Sequence, residues 1–303
     1  MNLIEKMREG VVVGDGAMGT ELQGAGLPLG ESGEAWALQH PDVLQAIHEA
    51  YLAAGSEIIL SNSFGANPWV LARYGLADGY ERIARDAAAV ARRAAGRSAI
   101  VLGDVGPCGG FLRPLGDVDP DDLREAFRRQ AAALLEGGAD GIIVETMSAV
   151  EETVVAVEAA RAAGAPLVLA SMAFDELPNG SIRTMMGASP GQAARQLAAA
   201  GADVVGANCG TRMRPGSFAE VVRAYLDAVS LPVIIQANAG SPELVDGVAV
   251  YRLGPDAFAD GMSSVLSAGA SIVGGCCGTT PAHIRALRRL CESSRTSTKL
   301  STP

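Results

Sequence analysis

Aromatic residues make up only 4% of this chain of 303 residues, and histidine occurs three times. Nowhere do apolar residues run together for the roughly 18 positions that a membrane-spanning helix needs. So few rings argue against a base-stacking surface for single-stranded nucleic acid. Basic residues are also in the minority: 24 Lys and Arg against 34 Asp and Glu leave a net charge of −10, a field that repels nucleic acid and anionic membranes. The expected partner is a small molecule or a protein, with no nucleic acid and no membrane. The first residues, MNLIEKMREGVVVGDGAMG, scatter charges among apolar positions and lack the apolar segment of a signal peptide, which points to a cytoplasmic protein. Cysteine is scarce and odd in number. Cys108, Cys209, Cys276, Cys277 and Cys291 suit reduced thiols or metal ligands better than a disulfide framework.

What the chain does have is 49% hydrophobic residues and 37 glycines, enough for a large core with close helix-on-sheet packing. Short apolar runs closed by Gly, Asn, Ser or Cys recur at 11–13, 58–60, 100–102, 142–144, 167–169, 204–205, 233–235 and 272–273. Ala-rich amphipathic stretches alternate with them at 41–54, 78–95, 120–136, 149–163, 190–200, 217–228, 255–267 and 281–290, several opening on Ser or Pro. Eight strand-helix units imply a parallel sheet closed as a (β/α)8 TIM barrel in a single domain, with an open doubly wound sheet as the alternative. The barrel is expected to occupy residues 1–290, followed by a polar, frayed tail at 291–303, and no lid insertion is evident between strands.

In such a barrel the residues that follow each strand face the active-site mouth. Three cysteines fall there: Cys209 after the sixth strand, and Cys276 and Cys277 after the eighth. Adjacent residues on an extended strand point apart, so the Cys-Cys pair meets one ion only if the backbone bends, which Gly274, Gly275 and Gly278 make cheap. Three thiolates suit zinc and leave its fourth position open, as a catalytic site requires. A small buried hydrophobe at Cys209 and a redox couple at the pair are the alternatives. His40, His48 and His283 all lie away from the strand ends, so a histidine-rich site is not expected. Cys108, in GPCGG, reads as a spectator and Cys291 as structural.

Asp15 and Glu145 follow the first and fourth strands with no basic neighbour in sequence, and together they could grip an ammonium group. Taken singly, each could instead cap a turn or brace a loop. Gly16 and Thr20, in GDGAMGT, belong to a loop whose accessible N–H groups could receive a carboxylate. Asn62, Asn208 and Asn238 also stand at strand ends, either lining the pocket or forming turns. Trp36, Trp69, Phe64 and Tyr74 are explained by packing, with the alternative that a loop after the first two strands folds Phe64, Trp36 or Trp69 over the mouth as a ring face for a cation.

Taken in order, GDGAMGTEL, LSNSFGAN, GDVGP, GIIVETM, GANCG, QANAGSPE and GGCCGTTPAHI resemble the homocysteine S-methyltransferase family across nearly the whole chain. The resemblance implies a (β/α)8 barrel with catalytic zinc (Zn2+) on Cys209, Cys276 and Cys277, and homocysteine whose ammonium group meets Asp15 and Glu145. Within the family, ETMS and YRLGPDAFAD are most similar to the homocysteine-binding module of cobalamin-dependent methionine synthase. That likeness implies methylcobalamin as an external methyl donor, presented by a separate corrinoid protein or module and not bound by a dedicated domain of this chain. Betaine-using relatives carry a tyrosine after the matching glutamate, where this chain has Thr146; a betaine or S-methylmethionine donor, or another thiol as acceptor, is the alternative.

Overall fold

A computed structural model describes residues 3–245 and 248–300, with side chains described as far as Ser293. Eight strands, β1 (Val12–Val13), β2 (Ile58–Leu60), β3 (Ile100–Val105), β4 (Gly141–Met147), β5 (Val168–Met172), β6 (Val204–Cys209), β7 (Val233–Ala237) and β8 (Ile272–Gly275), form one parallel sheet. Its spatial order follows the chain from β2 through β8 and returns to β1, whose partner is β8. The seam between β1 and β2 is closed differently. Glu57 N–H donates to Val13 O at 2.7 Å, Ser56 Oγ to Gly14 O at 3.1 Å, and Leu60 N–H to the Asp15 carboxylate at 2.8 Å. The sheet is thus nearly a closed barrel, as the alternation of elements implies.

Helices α1 (Pro41–Ala53), α2 (Tyr80–Ala95), α3 (Pro120–Glu136), α4 (Val150–Ala162), α5 (Pro190–Ala200), α6 (Phe218–Ala228), α7 (Pro255–Ser267) and α8 (Pro281–Leu300) lie between or after the strands. Proline at the first turn of α1, α3, α5 and α7 costs no hydrogen bond, and Asp119 and Ser189 cap α3 and α5 through their side chains. Outward strand residues such as Val144, Val205, Ile235 and Val273 share one core with the helices. Inward residues form another, made of Val12, Ile58, Ile100, Leu102, Ile143, Leu169, Val204, Ile234 and Ile272. Leu3 and Met7 of a short helix, Leu3–Glu9, join that inner core among the strand starts and close the end opposite the mouth.

The strands differ from the sequence reading at their carboxyl ends. β3, β5 and β6 run three or four residues beyond the apolar stretches that announce them, because the next inward positions are polar but still buried. Stepping by two, Ile100 and Leu102 lead to Asp104, Ile143 to Glu145, Leu169 to Ser171, and Ile234 to Gln236. A polar layer therefore sits directly above the apolar plug.

The mouth does carry insertions, contrary to expectation. A hairpin pairs Asp175–Glu176 with Ile182–Arg183 after β5, another pairs Glu243–Val245 with Val248–Val250 after β7, and helices Gly19–Gly24 and Gly33–Gln39 precede α1. Each hairpin strand is too short to announce itself as an apolar run. α8 also continues past residue 290 to Leu300, with Cys291 still buried, since neither Gly nor Pro interrupts the polar stretch before its end. Residues 301–303 of the expected tail lie outside the described ones. Among the described residues no helix is long and apolar enough to cross a membrane.

Candidate active site

Cys209 ends β6 in the left-handed region, with φ of +59°, and Gly210 follows at +80°. Asn238 holds this corner by donating to Gly210 O at 3.1 Å and toward Cys209 Sγ at 3.8 Å. Past Gly275 the chain leaves the strand and turns: Thr279 N–H and Oγ1 both donate to Cys276 O, at 3.1 and 2.7 Å. That turn solves the problem of adjacent side chains pointing apart. Gly278 makes it at φ of +76°, where a Cβ would come within 2.2 Å of Tyr251. The Sγ atoms of Cys209, Cys276 and Cys277 end within 4.8 Å of one another, Cys276 and Cys277 being 3.9 Å apart. An ion tetrahedral in sulfur at about 2.3 Å needs its sulfurs roughly 3.8 Å apart, so the set fits a metal of that kind. Among the described residues no fourth His, Cys, Asp or Glu joins the group.

Crowding splits the three thiols. Hydrogen bonds from Cys209 and then Cys276, aided by Tyr251, hold Cys277 well below the usual thiol range in spite of burial. Its partners move the other way: sharing with Cys209 and Cys277, followed by burial, pushes Cys276 up. At Cys209 a downward pull from Cys276 is outweighed by Cys277 and burial. The cluster therefore holds one negative charge readily and resists the second. Asn208 Nδ2 adds a weak donation toward Cys276 Sγ at 3.9 Å.

Asp15, Asp104 and Glu145 are buried together near the thiols. Burial pushes the Asp15 carboxyl up to about 7 against the pull of the Leu60 N–H. Burial, then the charges of Asp15 and Cys209, push Glu145 up to about 8. Asp104 is raised by burial and then by Glu145, Asp15 and Glu34. Asp104 is absent from the residues that the sequence singles out, as is Gln236. Both were findable by continuing the period of two along β3 and β7.

The remaining residues sort clearly. Asn208 is fully buried, accepts from Thr146 N–H and from Ser171 Oγ, and donates to Thr146 Oγ1, so it braces the mouth. Asn62 donates to Gly33 O at 3.1 Å and ties the second strand to a rim helix. Gly16 lies against the eighth-strand loop, where a Cβ would be 2.7 Å from Thr279 Oγ1 and 2.8 Å from Tyr51. Thr20 Oγ1 is buried and receives no partner from the described residues. Trp36 is core and stacks on His40, while His283 is spent on Leu253 O and Thr280. Cys108 and Cys291 are buried away from the triad. A cavity of about 880 Å3 opens at the rim among Glu176, Arg214, Glu243 and Arg252, but neither the thiols nor the buried carboxylates line it.

Residues 12–291 match the homocysteine S-methyltransferase family. The chain belongs to that family. Membership makes it a methyltransferase, of a family that takes homocysteine as methyl acceptor. It is 36% identical over 298 residues to methionine synthase of Mycobacterium tuberculosis, which covers 94% of this chain and 25% of that enzyme. The chain thus spans about a quarter of the length of the methionine synthases it matches. Against betaine–homocysteine S-methyltransferase 1 of Mus musculus the identity is 30% over 312 residues, covering 94% of this chain and 73% of the other. The metallated homocysteine methyltransferase MmuM of Escherichia coli shares the fold, with a TM-score of 0.78 at 24% identity over 95% of this chain and 99% of that one.

Proposed function

We propose that this methyltransferase makes methionine from homocysteine, with zinc held by Cys209, Cys276 and Cys277 and with a methylcorrinoid, carried by a separate protein or module, as donor. The observation that carries the reading is the meeting of three sulfurs without a fourth protein ligand among the described residues. Catalytic zinc sites are built that way. When bound, zinc supplies the means of keeping a thiol deprotonated at neutral pH. The all-sulfur set disfavours a water-activating hydrolase, which would also need a general base at the metal.

The chain's own residues supply binding and alignment. Asp15 and Glu145 take the substrate's ammonium group, each as a charge-assisted acceptor. Gly16 and Thr20 border the loop that receives the substrate carboxylate. Asn238 braces the turn that carries Cys209, Asn208 braces Thr146 beside Glu145, and Asn62 holds the neighbouring loop through Gly33. Fixed at its ammonium end, the amino acid can present its sulfur in one orientation, so that alignment replaces a chance encounter with the methyl carbon.

Two observations support a corrinoid donor. Identity is higher to the methionine synthase than to the betaine enzyme, 36% against 30% at equal coverage of this chain. Thr146, beside Glu145, commits its hydroxyl to Asn208 and offers no ring face to an onium methyl donor. A site that needs three thiols kept reduced supports a cytoplasmic setting. The second reading, a betaine or S-methylmethionine donor, is favoured by the acidic mouth, which would welcome a cation. Incubating zinc-loaded protein and homocysteine with methylcobalamin, betaine or S-methylmethionine decides between them. The first reading expects methionine chiefly from methylcobalamin; methionine from an onium donor and none from methylcobalamin would reject it.

A further inference from the structure

Asp104 is held rigidly by its backbone and left unused by its side chain. Its N–H donates to Ser61 Oγ at 3.0 Å, Ser63 Oγ donates to its carbonyl at 2.7 Å, and the two serines bond each other at 2.7 Å. On β3 it follows Ile100 and Leu102, both members of the inner core, so its side chain faces the barrel axis at the mouth. It is 6% exposed, yet its Oδ1 is buried without a hydrogen bond from any described residue. A buried carboxylate oxygen left without a donor is costly, so such an atom marks a place where a ligand is due.

The chemistry of that ligand follows from what surrounds it. The charged groups acting on Asp104 are Glu145, Asp15 and Glu34, all acids, and Glu34 is already engaged by Gly65 N–H and Ser32 Oγ. Two more buried side-chain oxygens on β7 and its loop, Gln236 Oε1 and Asn238 Oδ1, also lack a donor among the described residues. What is missing is a cation with several N–H donors. An ammonium group has three and one positive charge.

We propose that Asp104 is a third acceptor for the substrate's ammonium group, making the pocket selective for an α-amino thiol over the same thiol without its amine. The proposal rests on the placement of that ammonium at Asp15 and Glu145, and adds a specificity-determining residue to it. Burial and then the neighbouring acids Glu145, Asp15 and Glu34 push the Asp104 carboxyl upward; an ammonium group at the free Oδ1 opposes that push and favours the ionised, accepting form.

The test compares two ligands in calorimetric titrations of zinc-loaded protein: homocysteine, and 4-mercaptobutanoate, which keeps the thiol and the carboxylate but has no amine. Asp104→Asn is expected to lower the ratio of homocysteine to 4-mercaptobutanoate affinity by about tenfold or more, with the zinc content unchanged. An unchanged or higher ratio would overturn the proposal. Glu145→Gln, measured in parallel, separates the two levels: if it lowers the ratio and Asp104→Asn does not, only Asp104 is misassigned, and if neither does, the ammonium placement itself fails. A crystal structure of the native zinc-loaded protein with homocysteine gives an answer independent of variant folding. The substrate nitrogen should lie within about 3.2 Å of Asp104 Oδ1. A nitrogen beyond hydrogen-bond reach of both Asp104 oxygens would refute the assignment.

Discussion

Asn208 grips Thr146 from both sides: its Oδ1 receives the Thr146 N–H at 2.9 Å, and its Nδ2 donates to Thr146 Oγ1 at 2.6 Å. Thr146 needs the grip. It is a β-branched residue at φ of +58°, a conformation that costs energy and persists only where the surroundings enforce it. The same kink shifts the β4 register between Val144 and Met147, and Glu145 lies inside that shift. A residue on β6 thereby sets the aim of a carboxylate on β4.

Asn208→Ala leaves the Thr146 N–H without its acceptor and the strained turn without its brace. The expected cost is about 2 kcal/mol in urea denaturation, with weaker homocysteine binding. Zinc content should stay near that of the native protein, because Asn208 is only a distant donor to Cys276. Native stability in this variant would show that Thr146 holds its conformation unaided.

Asp15→Asn and Glu145→Gln each remove a charge while keeping side-chain shape. Homocysteine affinity is expected to fall about tenfold or more in each, by calorimetry, and zinc affinity to change little. The amide oxygen of Asn at position 15 can still accept from Leu60 N–H, so the seam between β1 and β2 should hold. Unchanged affinity in both variants would return the two residues to structural roles.

Stability should also respond to pH through Glu145. Between its ordinary value of 4.5 and about 8 the folded chain retains a proton that the unfolded chain releases, so its contribution falls as pH rises across that window and is lost above it. Denaturation of metal-free, reduced protein at pH 5, 6.5 and 8 is expected to show a smaller loss of stability in Glu145→Gln than in the native chain. Parallel profiles would mean that Glu145 titrates normally.

Gly16→Ala tests the joint between the first and last loops of the barrel. The added Cβ would meet Thr279 Oγ1 and the Tyr51 ring at 2.7 and 2.8 Å, and the Tyr51 hydroxyl itself bonds Ala17 O at 2.7 Å. A loss of about 1–3 kcal/mol is expected, with reduced zinc retention, since Thr279 also shapes the Cys276 turn. Native stability and zinc retention would show that the joint yields freely.

Much of this architecture is legible in the alternation of apolar runs with amphipathic stretches, because each run sends alternate residues inward to the barrel core and outward against the helices. The three thiols are legible too, as cysteines at the ends of β6 and β8. Asp104 and Gln236 escape because a run of apolar residues stops where the buried layer turns polar, although the strand and its period of two continue. The Asp175–Arg183 hairpin escapes by brevity, though Asn179-Gly180 at its tip is a turn signal and Gly180 does take a φ of +79°. The left-handed turn at Thr146 has no local signal at all. A β-branched residue argues against it, and only the contact with Asn208, 62 positions away, imposes it.

Zinc held by the three cysteines is the claim on which the rest depends, and metal analysis of purified protein tests it most directly. One zinc per chain is expected in the native protein and almost none in the Cys276→Ala, Cys277→Ala double variant, with the barrel still folded by circular dichroism because these residues sit at the mouth, outside both cores. Full zinc occupancy in the folded double variant would contradict the account.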